Sequence, residues 1–232
     1  MLRFLFALLA LLPALLGAQT LERSFGLELT PHLGEQRISN SSNVTATRLE
    51  RLDSLESGRP GFAIGLTYES RVDRIGYTTG LRYLRLGYET LQQEVPGAPD
   101  QRYADVVTAN YLSLPFEVNF YQDVTENDRA LFLLGVNGQY HLGTRTQRTT
   151  FTGGAESGSE RLAYDASQYR PIIIAFVAGI GYDRKLSTDW ALRVQPTFQF
   201  FLNGALRPET DAPANRNYYQ LGLRLVLRRL FI

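Results

Sequence analysis

Cysteine is absent from this sequence, which excludes a disulfide framework, a thiolate metal site and a lipid-anchored N-terminal cysteine. Lysine occurs once, at Lys185, so the basic charge is carried almost wholly by arginine. The formal net charge is only +1, and no global excess of positive charge points to a nucleic-acid partner. Histidine, the usual general base, occurs twice, at His32 and His141. No cluster of His, Asp and Glu has metal-ligand spacing, and no calcium loop of the Asp-x-Asp-x-Asp-Gly type is present. Gly153-Gly154 and Gly179-x-Gly181 fall in a loop and a strand pattern, not in a phosphate cradle. No metal or cofactor is therefore expected. Long apolar runs are also missing. After the first residues, nothing approaches the roughly eighteen consecutive apolar residues of a membrane-spanning helix.

The first residues, MLRFLFALLALLPALLGAQ, read as a secretory signal. Arg3 supplies a short positive region, Phe4 to Leu16 an apolar run too short to span, and Gly17 and Ala18 the small residues of a cleavage point. The expected organisation is a signal peptide over 1–18 and one domain over 19–232, with the mature chain exported.

What is abundant is alternation. In Trp190 to Asn203, Trp190, Leu192, Val194, Phe198, Phe200 and Leu202 share one parity, while Arg193, Gln195, Thr197 and Gln199 share the other. That is the period of a strand with one apolar and one polar face. Its length suits a tilted bilayer crossing of roughly 9–11 residues. Seven more stretches alternate in the same way: Ser24–Leu33, Gly61–Glu69, Ile75–Tyr88, Asn110–Tyr121, Leu131–Leu142, Pro171–Asp183 and Tyr218–Leu230. In Ile75–Tyr88 the parity blurs at Leu84 and Leu86. The connections alternate strictly between long and short. The long ones are Gly34–Pro60, Glu89–Val106, Gly143–Gln168 and Gly204–Asn217, and they read as polar loops. Leu49, Leu52 and Leu55 have the spacing of a short helix within the first, and Gly143–Gln168 looks featureless.

An even number of strands with alternating short and long connections predicts an all-β fold: an eight-stranded antiparallel up-and-down transmembrane β-barrel of an outer membrane, with short periplasmic turns and long outside loops. A soluble barrel would carry more Lys and Glu on its polar parity, where this chain has glycines and small residues. Phe25, Tyr68, Tyr77, Phe120, Phe132, Tyr182, Trp190 and Phe231 all fall on the outward parity beside the short turns, the position of a periplasmic aromatic girdle. Glu28, Glu69, Glu117, Arg82, Arg193 and Arg224 fall on the inward parity. An eight-stranded bore is just wide enough for side chains, so these charges are expected to pair in a plugged lumen.

At YLSLPFEVNFY (Tyr111–Tyr121) the chain resembles the PorT-like outer-membrane β-barrel family of Bacteroidetes, whose strands carry a YLxxP pattern. GLRYLRLGYE (Gly80–Glu89) and FVAGIGYDRKL (Phe176–Leu186) are similar to two further strands of that family. The resemblance follows the mature chain in element order and implies a single eight-stranded barrel. It brings no functional residue with it.

Chemistry is sparse. His32 and His141 both point inward near the outer ends of their strands, and the neighbours of His141 lack the His-x-Ser pairing of a lipid A deacylase. Asn40-Ser41-Ser42 and Asn43-Val44-Thr45 match the N-glycosylation pattern, and Asp53-Ser54-Leu55 resembles a Bacteroidetes O-glycosylation motif. No catalytic, metal or cofactor residue is assigned. The expected role is non-enzymatic: surface binding through the loops, or an accessory part in the envelope or in secretion. The rivals are a lipid-modifying enzyme, betrayed by a His-Ser-acid cluster at the outer rim, and a small-solute pore. Expected partners are outer-membrane lipid, the outer-membrane assembly machinery and a protein or glycan ligand at the outside loops, with the chain itself a monomer.

Overall fold

The computed structural model describes residues 21–40, 50, 54–207 and 214–231. Eight long strands make the fold: β1 (Leu21–Asn40), β2 (Pro60–Val72), β3 (Ile75–Thr90), β4 (Ala98–Asp123), β5 (Asp128–Thr152), β6 (Ile172–Lys185), β7 (Trp190–Phe201) and β8 (Ala214–Phe231). Each pairs antiparallel with its neighbour in sequence. β8 pairs back onto β1, from Arg23↔Phe231 to Asn40↔Ala214, so the sheet closes on itself. Closure leaves the eight staves without an edge, which is the condition for a sheet to cross hydrocarbon.

The burial pattern is that of a membrane barrel turned inside out relative to a soluble one. Leu66, Ile180 and Leu221 are each about 65% exposed, while Glu28, Glu117 and Gln195 are 0–2% exposed. A water-soluble protein avoids so large a continuous apolar surface. On β1 the outward apolar run extends from Phe25 to Leu33 and ends at Glu35. That is roughly 20–25 Å of height once strand tilt is allowed for.

The short connections are tight. Val72 pairs with Ile75 across a two-residue turn in which Asp73 takes φ 51, a left-handed conformation that Asp tolerates better than most side chains. At the second turn the Val124 and Thr125 N–H groups donate to the Asp128 carbonyl, and at the third the Ser187 hydroxyl accepts from the Trp190 N–H.

The long connections differ from the sequence expectation. Gly143–Gln168 is not featureless: β5 runs on to Thr152, turns through Gly153 and Gly154 at positive φ, returns as a strand at Ala155–Arg161, and ends in a 3-10 turn at Ala166–Gln168. Glu89–Val106 holds a strand at Gln93–Val95 paired to the extension of β4. In Gly34–Pro60, β1 continues to Asn40 and Glu56–Gly58 pairs with β3. β8 likewise begins at Ala214, inside Gly204–Asn217. Ser54 and Leu55 are helical, and Leu49 and Leu52 lie outside the described residues. The reason is chemical. A β-ladder needs only backbone partners, and above a membrane both faces of a strand can be polar, so the alternation that marks a strand in the bilayer fades while the pairing continues.

Candidate functional site

The bore holds three layers. Toward the short turns is a network centred on Glu69. Its carboxylate accepts from the Tyr121 hydroxyl at 2.6 Å, the Thr78 hydroxyl at 2.8 Å and the Asn119 amide at 3.0 Å. Arg193 donates to both of its oxygens at 3.1 and 2.9 Å, and Arg228 to one at 2.7 Å. Asp183 completes the set, 3.4 Å from Arg193 and hydrogen-bonded to Arg228.

Above it, Glu117 lies between two guanidinium groups. Arg82 donates to it through Nη1 at 2.7 Å and Nη2 at 3.2 Å, and Arg224 through Nη1 at 2.8 Å and Nη2 at 3.1 Å. Glu28 links the same two arginines, 2.9 Å from Arg82 Nε and 3.4 Å from Arg224 Nε, and also accepts from Thr30. Four side chains thus form a closed ring of alternating charge. Glycines make the space: a Cβ on Gly65 would stand 2.8 Å from the Cγ of Arg82, and one on Gly135 2.8 Å from the Cγ of Glu117. Isolated charges at this depth would be costly, and mutual pairing offsets that cost.

Toward the long loops the bore turns apolar. Leu84, Leu86, Tyr88, Val107, Tyr111, Ile173, Phe201 and Tyr218 form one buried cluster. Phe201 stands edge-on to Tyr111 at 5.7 Å and to Tyr218 at 5.6 Å. The blurred parity at Leu84 and Leu86 is thereby explained: they sit inward, and their apolar character belongs to this plug. Loop residues close over it. Arg170 N–H donates to the Ala205 carbonyl and its Nε to the Leu206 carbonyl, both at 3.0 Å, and Ala205 is buried within the plug. Arg216 clamps Glu56 through Nη2 at 2.6 Å and Nε at 3.2 Å above the Tyr88 ring. Between the plug and the Glu117 ring is a cavity of about 30 Å³, lined in part by His32, Gln139 and Gln220. Both amide atoms of Gln139 are buried there without a protein partner, and the space suits about two water molecules.

All six charged residues singled out from the sequence, Glu28, Glu69, Glu117, Arg82, Arg193 and Arg224, are in these networks, but the set was incomplete. Asp183 and Arg228 belong to the first network, so the two networks together hold four acids against four bases. Parity could have found both, since Asp183 follows Gly179 and Gly181, and Arg228 follows Arg224, on the inward face. The two networks could not have been separated from sequence, because which charge meets which depends on strand stagger. The plug was missed entirely.

His32 is buried in the wall of the cavity. His141 lies at the rim, stacked on Tyr169 at 4.8 Å; its Nε2 meets the Thr144 hydroxyl at 2.9 Å and its Nδ1 the Tyr164 hydroxyl at 3.5 Å. Among the described residues neither serine nor carboxylate joins it, so no His-Ser-acid set forms there. No group of three potential metal ligands occurs among the described residues. At the rim Asp165 accepts from the Ser167 hydroxyl and N–H, which hold its carboxyl below the usual range.

On the outside, the eight aromatic residues ring the short-turn end. Phe25 packs on Tyr68 at 5.1 Å and on Phe231 at 5.8 Å, and Phe120 stacks on Phe132 at 6.4 Å. Tyr77, Tyr182 and Trp190 project outward nearby. Of the glycosylation patterns, Asn43-Val44-Thr45 and Asp53 lie outside the described residues, and Asn40 is the last described residue of β1.

A family model described as the outer membrane protein beta-barrel domain matches residues 18–206. The chain belongs to that family. Its place is the outer membrane. Among solved structures it is similar to Neisserial surface protein A at 12% identity, covering 89% of this chain and 97% of the other, with TM-score 0.43. It is similar to OprG of Pseudomonas aeruginosa at 9% identity, covering 93% and 98%, with TM-score 0.43. It is also similar to Ail of Yersinia pestis at 10% identity, covering 90% and 98%, with TM-score 0.33. The comparison with curated proteins returned no match.

Proposed function

We propose that this outer-membrane barrel is a non-enzymatic, non-conducting protein that displays a rigid β-platform outside the cell, there to bind a protein or glycan or to serve an envelope or secretion accessory role. The observation that carries this is the contrast between bore and rim. The bore is filled by two paired-charge networks and an apolar plug. The outward apolar band of β4 and β5 stops near Leu112 and Leu142, yet the two strands continue paired to Gln101↔Thr152. About ten residues on each arm rise beyond the band, roughly 30 Å along the strand. The extension is flanked by Gln93–Val95 and Ala155–Arg161 and braced by a bidentate Arg148–Asp105 pair at 2.8 and 2.7 Å, with Arg148 over the Tyr103 ring.

In this reading residues 1–18 are a removed signal peptide, the aromatic girdle marks the periplasmic interface, and the monomer is inserted by the outer-membrane assembly machinery. The strand YLSLPFEVNFY supports a PorT-like member from Bacteroidetes. The partners of His141 among the described residues, the hydroxyls of Thr144 and Tyr164, favour the non-enzymatic reading over a lipid hydrolase. Planar-bilayer recording with purified monomer is the test. Silence at the level of single channels is expected, and stable ion-selective conductance would replace the plug with a pore.

A further inference from the structure

Where β2 and β3 leave the apolar band, the outer wall carries a basic notch. The β2–β3 ladder pairs as far as Phe62↔Arg85. Beyond it Pro60 has no N–H to give, and the next hydrogen bond is Arg59 N–H to the Gly87 carbonyl at 3.3 Å. The strands part there around a cavity of about 280 Å³ lined by Arg59, Phe62, Arg85, Gly87 and Thr108 among others. Gly87 is buried at the foot of the cavity and supplies no side chain; a Cβ there would lie 2.2 Å from the Val107 carbonyl oxygen. Thr108 pairs with Gly87 on one side and with Arg145 on the other, so Arg145 stands on the same outward level.

Arg59 and Arg85 thus line a floor that includes Gly87 and Thr108, and Arg145 stands one strand further on at the level of Thr108. Arg59 is 3.5 Å from Glu89, with both side chains well exposed, a contact of little strength. Arg85 and Arg145 make no hydrogen bond or ion pair among the described residues, and both are exposed. Directly below them the wall is apolar: Phe62, Leu81, Tyr83 and Leu112 face outward, and the Tyr83 hydroxyl bonds Asn110 at the band's upper edge. A cation cluster at the junction of water and hydrocarbon, above an apolar wall, matches a ligand with an anionic head and acyl chains. Guanidinium forks fit phosphate oxygens in pairs, and phosphate is the anion that membrane lipids carry at this depth.

We infer that Arg59, Arg85 and Arg145 bind the phosphate of an outer-leaflet lipid, seated on Gly87 and Thr108 with its chains along Phe62, Tyr83 and Leu112. This rests on the long-loop end facing outward. The ligand chemistry is a phosphate group, and the apolar wall beneath favours a lipid over free phosphate as its source.

Native mass spectrometry of the full barrel, released from detergent after incubation with diphosphoryl lipid A, its dephosphorylated form or orthophosphate, tests this. Diphosphoryl lipid A should be retained, and its retention should fall about tenfold or more in R59E/R85E/R145E, the loss expected when charge-assisted hydrogen bonds are removed. Thr108→Trp, which fills the notch and keeps the charge, should lower it too, whereas Arg184→Glu at the opposite end should not. Heat-modifiable migration on gels reports whether each variant is folded. Equal retention by the folded triple variant, or equal retention of the dephosphorylated lipid, would overturn the site. Orthophosphate binding without retention of lipid would overturn the lipid as its source. An inverted topology would show itself separately, in protease cleavage at the short turns with lipid retention intact.

Discussion

The Glu117 ring allows a quantitative prediction. Glu117 is fully buried and accepts four hydrogen bonds from two arginines at 2.7–3.2 Å. With Glu28 and the two arginines the ring is electrically balanced. Glu117→Gln keeps the shape but leaves Arg82 and Arg224 to share Glu28, one uncompensated positive charge in a buried site. The expected destabilisation is about 3–5 kcal/mol, the cost of breaking a buried pair from one side. Arg224→Met leaves one uncompensated negative charge and should cost a similar amount. The double variant retains Arg82 and Glu28, whose contact at 2.9 Å is unaffected, and is balanced again. It should therefore be no less stable than either single variant, which amounts to a coupling energy of about 3–5 kcal/mol. Urea unfolding of the refolded barrel in lipid vesicles measures this, and Trp190, the only tryptophan, reports it from the outer wall. A double variant whose cost equals the sum of the singles, or singles costing under about 1 kcal/mol, would show that the charges are solvated and independent.

Three further outcomes follow from the same geometry. Phe201→Ala removes the centre of the apolar plug, between Tyr111 and Tyr218, and should cost about 3–5 kcal/mol in the same unfolding assay; a cost below about 1 kcal/mol would mean the plug is loosely packed. Trypsin added to intact cells should cleave in the outer extension, at Arg102 or Arg161, both exposed; cleavage confined to Gln122–Arg129 would invert the topology. Deleting Leu230 to Ile232 removes the pairs Ser24↔Leu230 and Arg23↔Phe231 that close the barrel at its short-turn end, and the truncated chain should collect in the periplasm. Its normal recovery in outer-membrane fractions would show that closure tolerates the loss.

The division between what sequence determines and what tertiary structure decides follows from the range of each interaction. Parity is local: successive Cβ atoms of a strand point to opposite faces, so Leu27 and Leu29 had to face one way and Glu28 the other, whatever their neighbours. Eight such stretches with alternating long and short connections then leave little choice but an up-and-down barrel, and the burial of Glu28, Glu69, Glu117, Arg82, Arg193 and Arg224 was legible from parity alone. Stagger is not local. Whether Arg224 meets Glu117 or Glu69 depends on how far each strand slides past its neighbours before the ring closes, and nothing in a single strand records that distance. The apolar plug was hidden for a related reason: Leu84 and Leu86 on β3 and Phe201 on β7 break the polar-inside rule on strands far apart in sequence, and become a cluster only after closure. The hairpin beyond the membrane was hidden for the opposite reason. In water both faces of a strand can be polar, so Gly143–Thr152 carries no alternation although its backbone pairs throughout. Alternation in the sequence therefore determined the wall and its polarity; closure of the ring decided which charges pair, where the bore is sealed and how far the sheet rises above the membrane.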